Sequence, residues 1–220
     1  IFGKTKYIIF SGTNVETDFI ETPAQILDLL CWEKNIIKGL SCHYKTKKKL
    51  PENLINKLIK LKNLDIGIHY KKHILISLFD QLIYSSDNFV IFCEKYNNNL
   101  NENLLLPGEW ITSFYGNDSQ YYCYTWSRVL SADLFNEKIK GRKIDKNIGN
   151  DLRKHILNHG GSKNAYDMIC SYINRKPEIN GFLAMHDLDT EAEYSFFLTS
   201  DKTNKNNKNK NEDLTLHFVN

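Results

Sequence analysis

From Phe19 to about Tyr44 the apolar residues Phe19, Ile20, Ile26, Leu27, Leu29, Leu30, Ile36, Ile37 and Leu40 fall at helical spacing. Positions three and four apart share one face of an α-helix, whereas a half-buried strand needs strict alternation. Pro23 lies inside this stretch, two residues after Glu21. Its fixed φ and missing N–H suit a first helical turn, so it either opens the main helix or kinks it there. An apolar stripe of this length must be buried against other elements, and the rest of the chain offers mostly helices.

After a basic loop at Lys45–Lys49, Pro51 opens a second amphipathic helix with Leu54, Ile55, Leu58, Ile59 and Leu61 on one side. Further helices are predicted from Ile66 to about Ile83, over about Ser119–Ile139, over about Ile148–Leu157 and over Ala165–Ile173. Gly160-Gly161 ends the third of these stretches. Residues 1–18 lack a helical pattern, and Tyr7-Ile8-Ile9-Phe10 suggests a loop or a short strand. Phe89–Phe92 suits a helix end or a short strand, Asn97–Asn103 a loop, and Leu214, Leu216 and Phe218 a short terminal strand. There is no internal repeat, and the fold class is all-α.

The 220-residue chain is 41% hydrophobic, enough for one sizeable domain or the tail of a larger one. Residues 1–200 form that body, whereas Lys202–Glu212 is a polar Lys/Asn run, so 201–220 reads as a low-complexity insert and tail. A net charge of +3 is too small for the basic stripe that nucleic acid requires. No apolar run reaches the ~18–20 residues of a membrane span. The five cysteines, Cys31, Cys42, Cys93, Cys123 and Cys170, are odd in number and scattered, which points to a reducing, intracellular compartment.

Glu21 is the residue on which a functional reading turns. Taken alone, a Glu at the start of an amphipathic helix is a surface or ion-pairing residue. The stretch around it, Ser11-Gly12-Thr13-Asn14-Val15-Glu16-Thr17-Asp18-Phe19-Ile20-Glu21-Thr22-Pro23-Ala24-Gln25, reads otherwise. It resembles the segment that carries the third zinc ligand in the thimet oligopeptidase, neurolysin and mitochondrial intermediate peptidase family of zinc metallopeptidases. There the pattern runs roughly SGT-x-x-x-x-DF-x-E-x-P-[SA]-Q and its last Glu binds the metal, which implies that Glu21 is the metal ligand here. Asp18, three residues earlier, shares its face if the turn is helical, and either Asp18 or Glu16 would orient a zinc-bound His or else serve only as a helix-start acid favoured by the macrodipole. The family's His-Glu-x-x-His motif is absent, and Gly3-Lys4-Thr5-Lys6-Tyr7 resembles the residues that follow it. The resemblance therefore implies one zinc ion whose two further His ligands come from an upstream part of the same enzyme.

Gln120-Tyr121-Tyr122-Cys123-Tyr124-Thr125-Trp126-Ser127 is a second resemblance, to a family segment whose first and last tyrosines line the catalytic cleft. Tyr121 and Tyr124 are three apart and so on one helical face, which would leave Tyr122 pointing away as a structural residue. Composition alone makes them an aromatic core stripe. The resemblance instead assigns Tyr124 to catalysis, donating a hydrogen bond to the oxyanion, and Tyr121 to substrate contact. Just upstream, relatives carry a Gly-rich loop with a His and a Tyr, whereas Trp110–Asp118 has no His and keeps only Gly116, with Tyr115 a displaced substrate-binding counterpart.

His69 with His73, and His155 with His159, have the one-turn spacing of metal ligands, but neither pair carries Glu in the second position. Lys71 and Lys72 would repel a cation at the first, and Ile156–Ser162 resembles a family stretch of I/M-L-x-x-G-G-S/G type that is not metal-binding. Both pairs read as ordinary surface or core histidines. The resemblance spans most of residues 3–185. It implies the helical C-terminal portion of a zinc oligopeptidase, with a deep channel for short or presequence-derived peptides, in mitochondria or cytoplasm. Alone, one Glu cannot hold a catalytic zinc, so the isolated chain is expected to be inactive. The missing motif and altered loop also fit a different class, an inactive peptide-binding or interaction module that retains the fold.

Overall fold

A computed structural model describes residues 3–85, 116 and 118–188, and helices are the regular elements among them. In chain order these are α1 (Thr22–Cys31), α2 (Lys34–Leu40), α3 (Glu52–Leu61), α4 (Ile66–Ser85), α5 (Cys123–Lys138), α6 (Lys146–Leu152), α7 (Ala165–Ile173) and α8 (Asn180–Met185). The all-α expectation holds. The Asn97–Asn103 loop, Phe89–Phe92, Tyr115 and the tail 201–220 lie outside the described residues.

The stripe from Phe19 to Tyr44 is broken into α1 and α2. The chain leaves helical geometry at Glu33, whose ψ is 129°, and restarts at Lys34. Apolar spacing carries across the break, so the pattern alone does not reveal it. Pro23 sits in the first turn of α1 and Pro51 immediately before α3, where a missing N–H leaves no bond unmade. Tyr7–Phe10 forms no strand. Ile8–Phe10 is a 3-10 turn in which Ile8 is 91% exposed.

α6 starts at Lys146, two residues earlier than its apolar pattern. Asp145 caps it, its Oδ1 accepting the N–H of Asn147 at 2.8 Å and of Ile148 at 3.1 Å. It widens into a π-helical turn at Arg153–Leu157 and then a 3-10 turn at Gly160–Ser162. α7 is capped by Asn164 and stops at Asn174, whose φ of 60° ends the helix. The short α8 has no counterpart in the sequence pattern.

α5 is the central helix. Cys123, Ser127 and Leu130–Phe135 are buried on it, and α1, α4, α7 and α8 all pack against it. Phe19, Ile26 and Leu29 from the first stretch share one core with Leu130, Leu134 and Phe135 of α5 and with Ile156, Ile169 and Tyr172. Each fully buried aliphatic side chain contributes about 1.5–3 kcal/mol. Small residues let α8 come close, since a Cβ on Gly181 would lie 2.7 Å from Asp133 Cα. Asp133 itself is buried, and Arg175 grips it through two N–H···O bonds of 2.8 Å while Glu178 N donates a third at 2.9 Å. This fixes the crossing between α5 and the chain after α7.

Candidate active site

The segment leading into α1 is a run of tight turns. Phe19 N donates to Glu16 O at 3.0 Å, Ile20 N to Thr17 O at 3.4 Å, and Thr22 N to Phe19 O at 2.9 Å. Such i→i+3 turns bring residues three apart toward one side, and the charges of both Asp18 and Glu21 reach the Cys123 thiol. Glu21 is the residue before α1, in helical geometry, and its side chain makes no capping bond. Glu16 does not serve here. Its two carboxylate oxygens accept from Asn164 Nδ2 at 2.8 Å and Ala165 N at 2.7 Å, pinning the start of α7.

Side-chain hydrogen bonds lace this segment to α5. Ser127 Oγ donates to Asp18 O at 2.7 Å, and Gln25 Nε2, one turn past Glu21, donates to Tyr124 O at 3.2 Å. Both acidic side chains act on Cys123 at the head of α5. Burial pushes its thiol pKa up, and the charges of Glu21 and Asp18 push it further. Thus the residues picked from two distant stretches converge on the first turn of α5.

Gly160-Gly161 explains how the incoming loop reaches that position. A Cβ on Gly160 would stand 2.0 Å from Phe10 O, and one on Gly161 2.0 Å from Asn14 O. Only glycine allows the backbone that carries Glu21 to lie so close.

Tyr121 and Tyr124 meet edge to face with ring centroids 5.5 Å apart, both half-buried, while Tyr122 is 39% exposed on the other side. Tyr122 is therefore a surface residue and not part of the core. The Tyr121 hydroxyl stays protonated, its pKa raised by burial first and then by Tyr124 and Cys123. The backbone around it is held by Asp80, a fully buried carboxylate on α4 that accepts from Ser119 N and Tyr121 N, each at 2.9 Å. Asp80 is not visible as a site residue in the sequence, because nothing local marks a helix-interior Asp as the acceptor for a loop 39 residues away.

The histidine pair expected to be ordinary also belongs here. His73 Nδ1 lies 3.4 Å from the Tyr121 hydroxyl, and its ring stacks on Tyr121 at 5.9 Å. His69 is 4.4 Å from His73, ring to ring. Both line a 390 Å³ cavity with Gln25, Lys62, Tyr124, Arg128 and His186. The second pair is remote in role: His155 pairs with Asp151 at 3.4 Å and stacks on Tyr172.

Among the described residues no group of three or more His, Cys, Asp or Glu side chains is arranged to hold a metal ion. A catalytic zinc takes three protein ligands. Glu21, half-buried with its carboxylate uncommitted to any cap, fits one of those positions, and the described residues do not supply the whole set.

The structure brings an uncapped Glu and a tyrosine pair to one helix terminus, and sequence comparison gives the class. The model of Peptidase family M3 matches residues 1–188, and the chain belongs to that family. It is similar to the thimet-like oligopeptidase of Dictyostelium discoideum, 35% identical over 192 residues, covering 82% of this chain and 28% of the relative. Saccharolysin of Saccharomyces cerevisiae is 29% identical over 197 residues, 83% of this chain and 28% of its own. Oligopeptidase A of Escherichia coli is 25% identical over 183 residues, 78% and 27% respectively. The chain thus spans little more than a quarter of the length of these relatives.

Proposed function

We propose that the intact protein is a zinc-dependent oligopeptidase that hydrolyses short or presequence-derived peptides admitted through a deep channel, and that residues 1–200 are the C-terminal part of its catalytic domain. The observation that carries this reading is the lacing of the Glu21 segment onto the tyrosine-bearing helix, through Ser127 to Asp18 O and Gln25 to Tyr124 O. Together with the family membership it makes one site of two distant stretches.

In this reading Glu21 supplies one zinc ligand and two histidines from a part of the protein outside this chain supply the others. Zinc, when bound, provides Lewis-acid activation of water and of the peptide carbonyl. The Tyr124 hydroxyl donates a hydrogen bond to the oxygen that becomes negative as the carbonyl turns tetrahedral. Tyr121 contacts the peptide backbone, and Tyr115 is a further substrate contact. Asp18 accepts the ring N–H of a ligating His and fixes its orientation. Among the described residues no helix is long and apolar enough to cross a membrane. We place the protein inside the cell, in mitochondria or cytoplasm.

The test is mutagenesis of the complete protein. Glu21→Gln should lower zinc content and peptide cleavage together. Tyr124→Phe should lower kcat by ~10²–10³ with zinc retained, the size seen when one oxyanion donor is lost. Wild-type zinc content and cleavage in Glu21→Gln would remove Glu21 from the site. Peptide binding without cleavage by the zinc-loaded wild type would establish the non-catalytic binding module instead.

A further inference from the structure

α4 holds Tyr121 at two points. Asp80 fixes its backbone N–H, and about two turns earlier on the same helix His73 meets its hydroxyl, Nδ1 to Oη at 3.4 Å, with the two rings nearly parallel at 17°. Tyr124, by contrast, is tied to α1 through its carbonyl. The backbones of the two tyrosines are therefore set by different elements.

A tyrosine hydroxyl carries one hydrogen and two lone pairs. With His73 neutral and its proton on Nε2, Nδ1 is an acceptor and takes the Tyr121 hydrogen. The Tyr121 oxygen is then left with lone pairs only, and can accept a hydrogen bond from substrate but not donate one. With His73 protonated, Nδ1–H becomes a donor and occupies a Tyr121 lone pair. The hydroxyl hydrogen then swings away from His73, and the oxygen faces substrate with a donor hydrogen and one remaining lone pair in place of two lone pairs.

We propose that His73 is a positioning residue for Tyr121: neutral His73 holds the Tyr121 hydroxyl as an acceptor for a substrate backbone N–H, and protonated His73 takes one of its lone pairs, turns its hydrogen toward the substrate and weakens peptide binding. The proposal rests on the peptidase site described above and gives its substrate contact a chemical sense and a pH dependence.

The surroundings of His73 favour the neutral ring. Burial lowers its pKa from 6.5, and the neighbouring His69 and Lys72 on α4 lower it further. Across the cavity Lys62 and Arg128 are the cations, His186 is held neutral by burial, and Asp28 is held by Arg128 at 2.8 Å. Asp80, the other carboxylate near Tyr121, spends its oxygens on backbone N–H groups. The neutral state thus prevails at neutral pH, and the change falls below the usual histidine range.

The experiment measures KM and kcat against pH in the complete protein for wild type, His73→Phe and His73→Gln. A non-cleavable peptide and its backbone N-methylated analogue are titrated in parallel by fluorescence anisotropy. A neutral hydrogen bond is worth about three- to tenfold in affinity. His73→Phe keeps an aromatic ring against Tyr121 but removes the acceptor, so KM should rise by about that factor at about pH 7.5. His73→Gln keeps an acceptor that does not titrate, so it should restore KM and abolish the rise that wild type shows below the histidine range of about pH 6.5. N-methylation should weaken binding to wild type and not to Tyr121→Phe. A KM in His73→Phe that matches wild type at every pH, or an acid rise that survives in both variants, overturns the proposal. Binding that follows this pattern without any cleavage keeps the positioning role and removes the peptidase reading, whereas cleavage with a KM indifferent to His73 does the reverse.

Discussion

Gly161→Ala isolates the contact on which the geometry around Glu21 depends. The added Cβ would stand 2.0 Å from Asn14 O and 3.2 Å from Asn14 C, where ordinary contacts begin at 3.4 Å. The obstructing atoms are backbone on both sides, so no side-chain rotation relieves the clash, and one strand of chain must retreat by more than an ångström. Overpacking of this kind costs about 1–3 kcal/mol. For a domain of this size that is a fall of about 2–4 °C in Tm per kcal/mol. Gly149→Ala is the control, since its Cβ meets nothing within 4 Å and it lies inside α6. There alanine should stabilise by roughly 0.5–1 kcal/mol through helix propensity. Urea unfolding followed by circular dichroism reads both. Opposite signs are expected, with cleavage in the complete protein falling further in Gly161→Ala than stability alone explains, because Asn14 leads directly to the turns that carry Glu21. A Gly161→Ala protein as stable as wild type, or gaining like Gly149→Ala, would show that the close approach of the two backbones is wrong.

Asp80→Asn should cost about 1.5–3 kcal/mol, because both Asp80 oxygens accept N–H groups and an amide nitrogen would set a donor against one of them. Chemical denaturation measures this, and no loss would mean that the clamp on Ser119 and Tyr121 does not form. His186 gives a pH prediction: burial first, then Lys62 and Arg128, bring its pKa down to about 4 from 6.5. A base whose pKa is lower folded than unfolded binds more protons when unfolded, so stability is full above pH 6.5 and falls as pH drops toward 4. The loss is at most about 3 kcal/mol at about 1.36 kcal/mol per unit. A His186→Asn variant should flatten that limb of a Tm-against-pH curve, and an unchanged limb would assign it to other groups.

How much of this is legible in the sequence depends on whether the determining contact is local. The start of α7 is readable at Ala165, because the apolar period and the cap Asn164 lie together. The sequence pattern places the head of α5 too early, at Ser119 and not Cys123. The aromatic pattern continues upstream, but Asp80 holds Ser119 and Tyr121 in a non-helical approach, with Ser119 at a φ of 62°. The break between α1 and α2 is hidden in a similar way, by a continuous apolar stripe over a discontinuous backbone. Glu21, Asp18 and the tyrosine pair come from resemblance of whole motifs. Asp80 and His73 do not, since their partners lie 41 and 48 residues away and a lone Asp or His inside a helix carries no mark of its partner.

The contacts that assemble the site share a feature that explains this division. Ser127 bonds the carbonyl of Asp18, Gln25 the carbonyl of Tyr124, Asp80 the amide of Tyr121, and Gly160 and Gly161 make room for the carbonyls of Phe10 and Asn14. Each of them acts on a main-chain atom, and main-chain atoms are the same in every residue, so the sequence carries no sign of which one is held. A site built so aims Glu21 and Tyr124 through the backbone on which they stand. Under the proposed peptidase reading this precision matters, because a hydroxyl misplaced by an ångström would no longer meet the charge that develops on a substrate. It follows that a conservative change at Ser127, whose hydroxyl acts on the Asp18 carbonyl, should disturb the site more than a conservative change at the exposed Tyr122 beside it. Cleavage by Ser127→Ala and Tyr122→Phe in the complete protein compares the two, and an equal loss would mean that the backbone contacts do not set the aim.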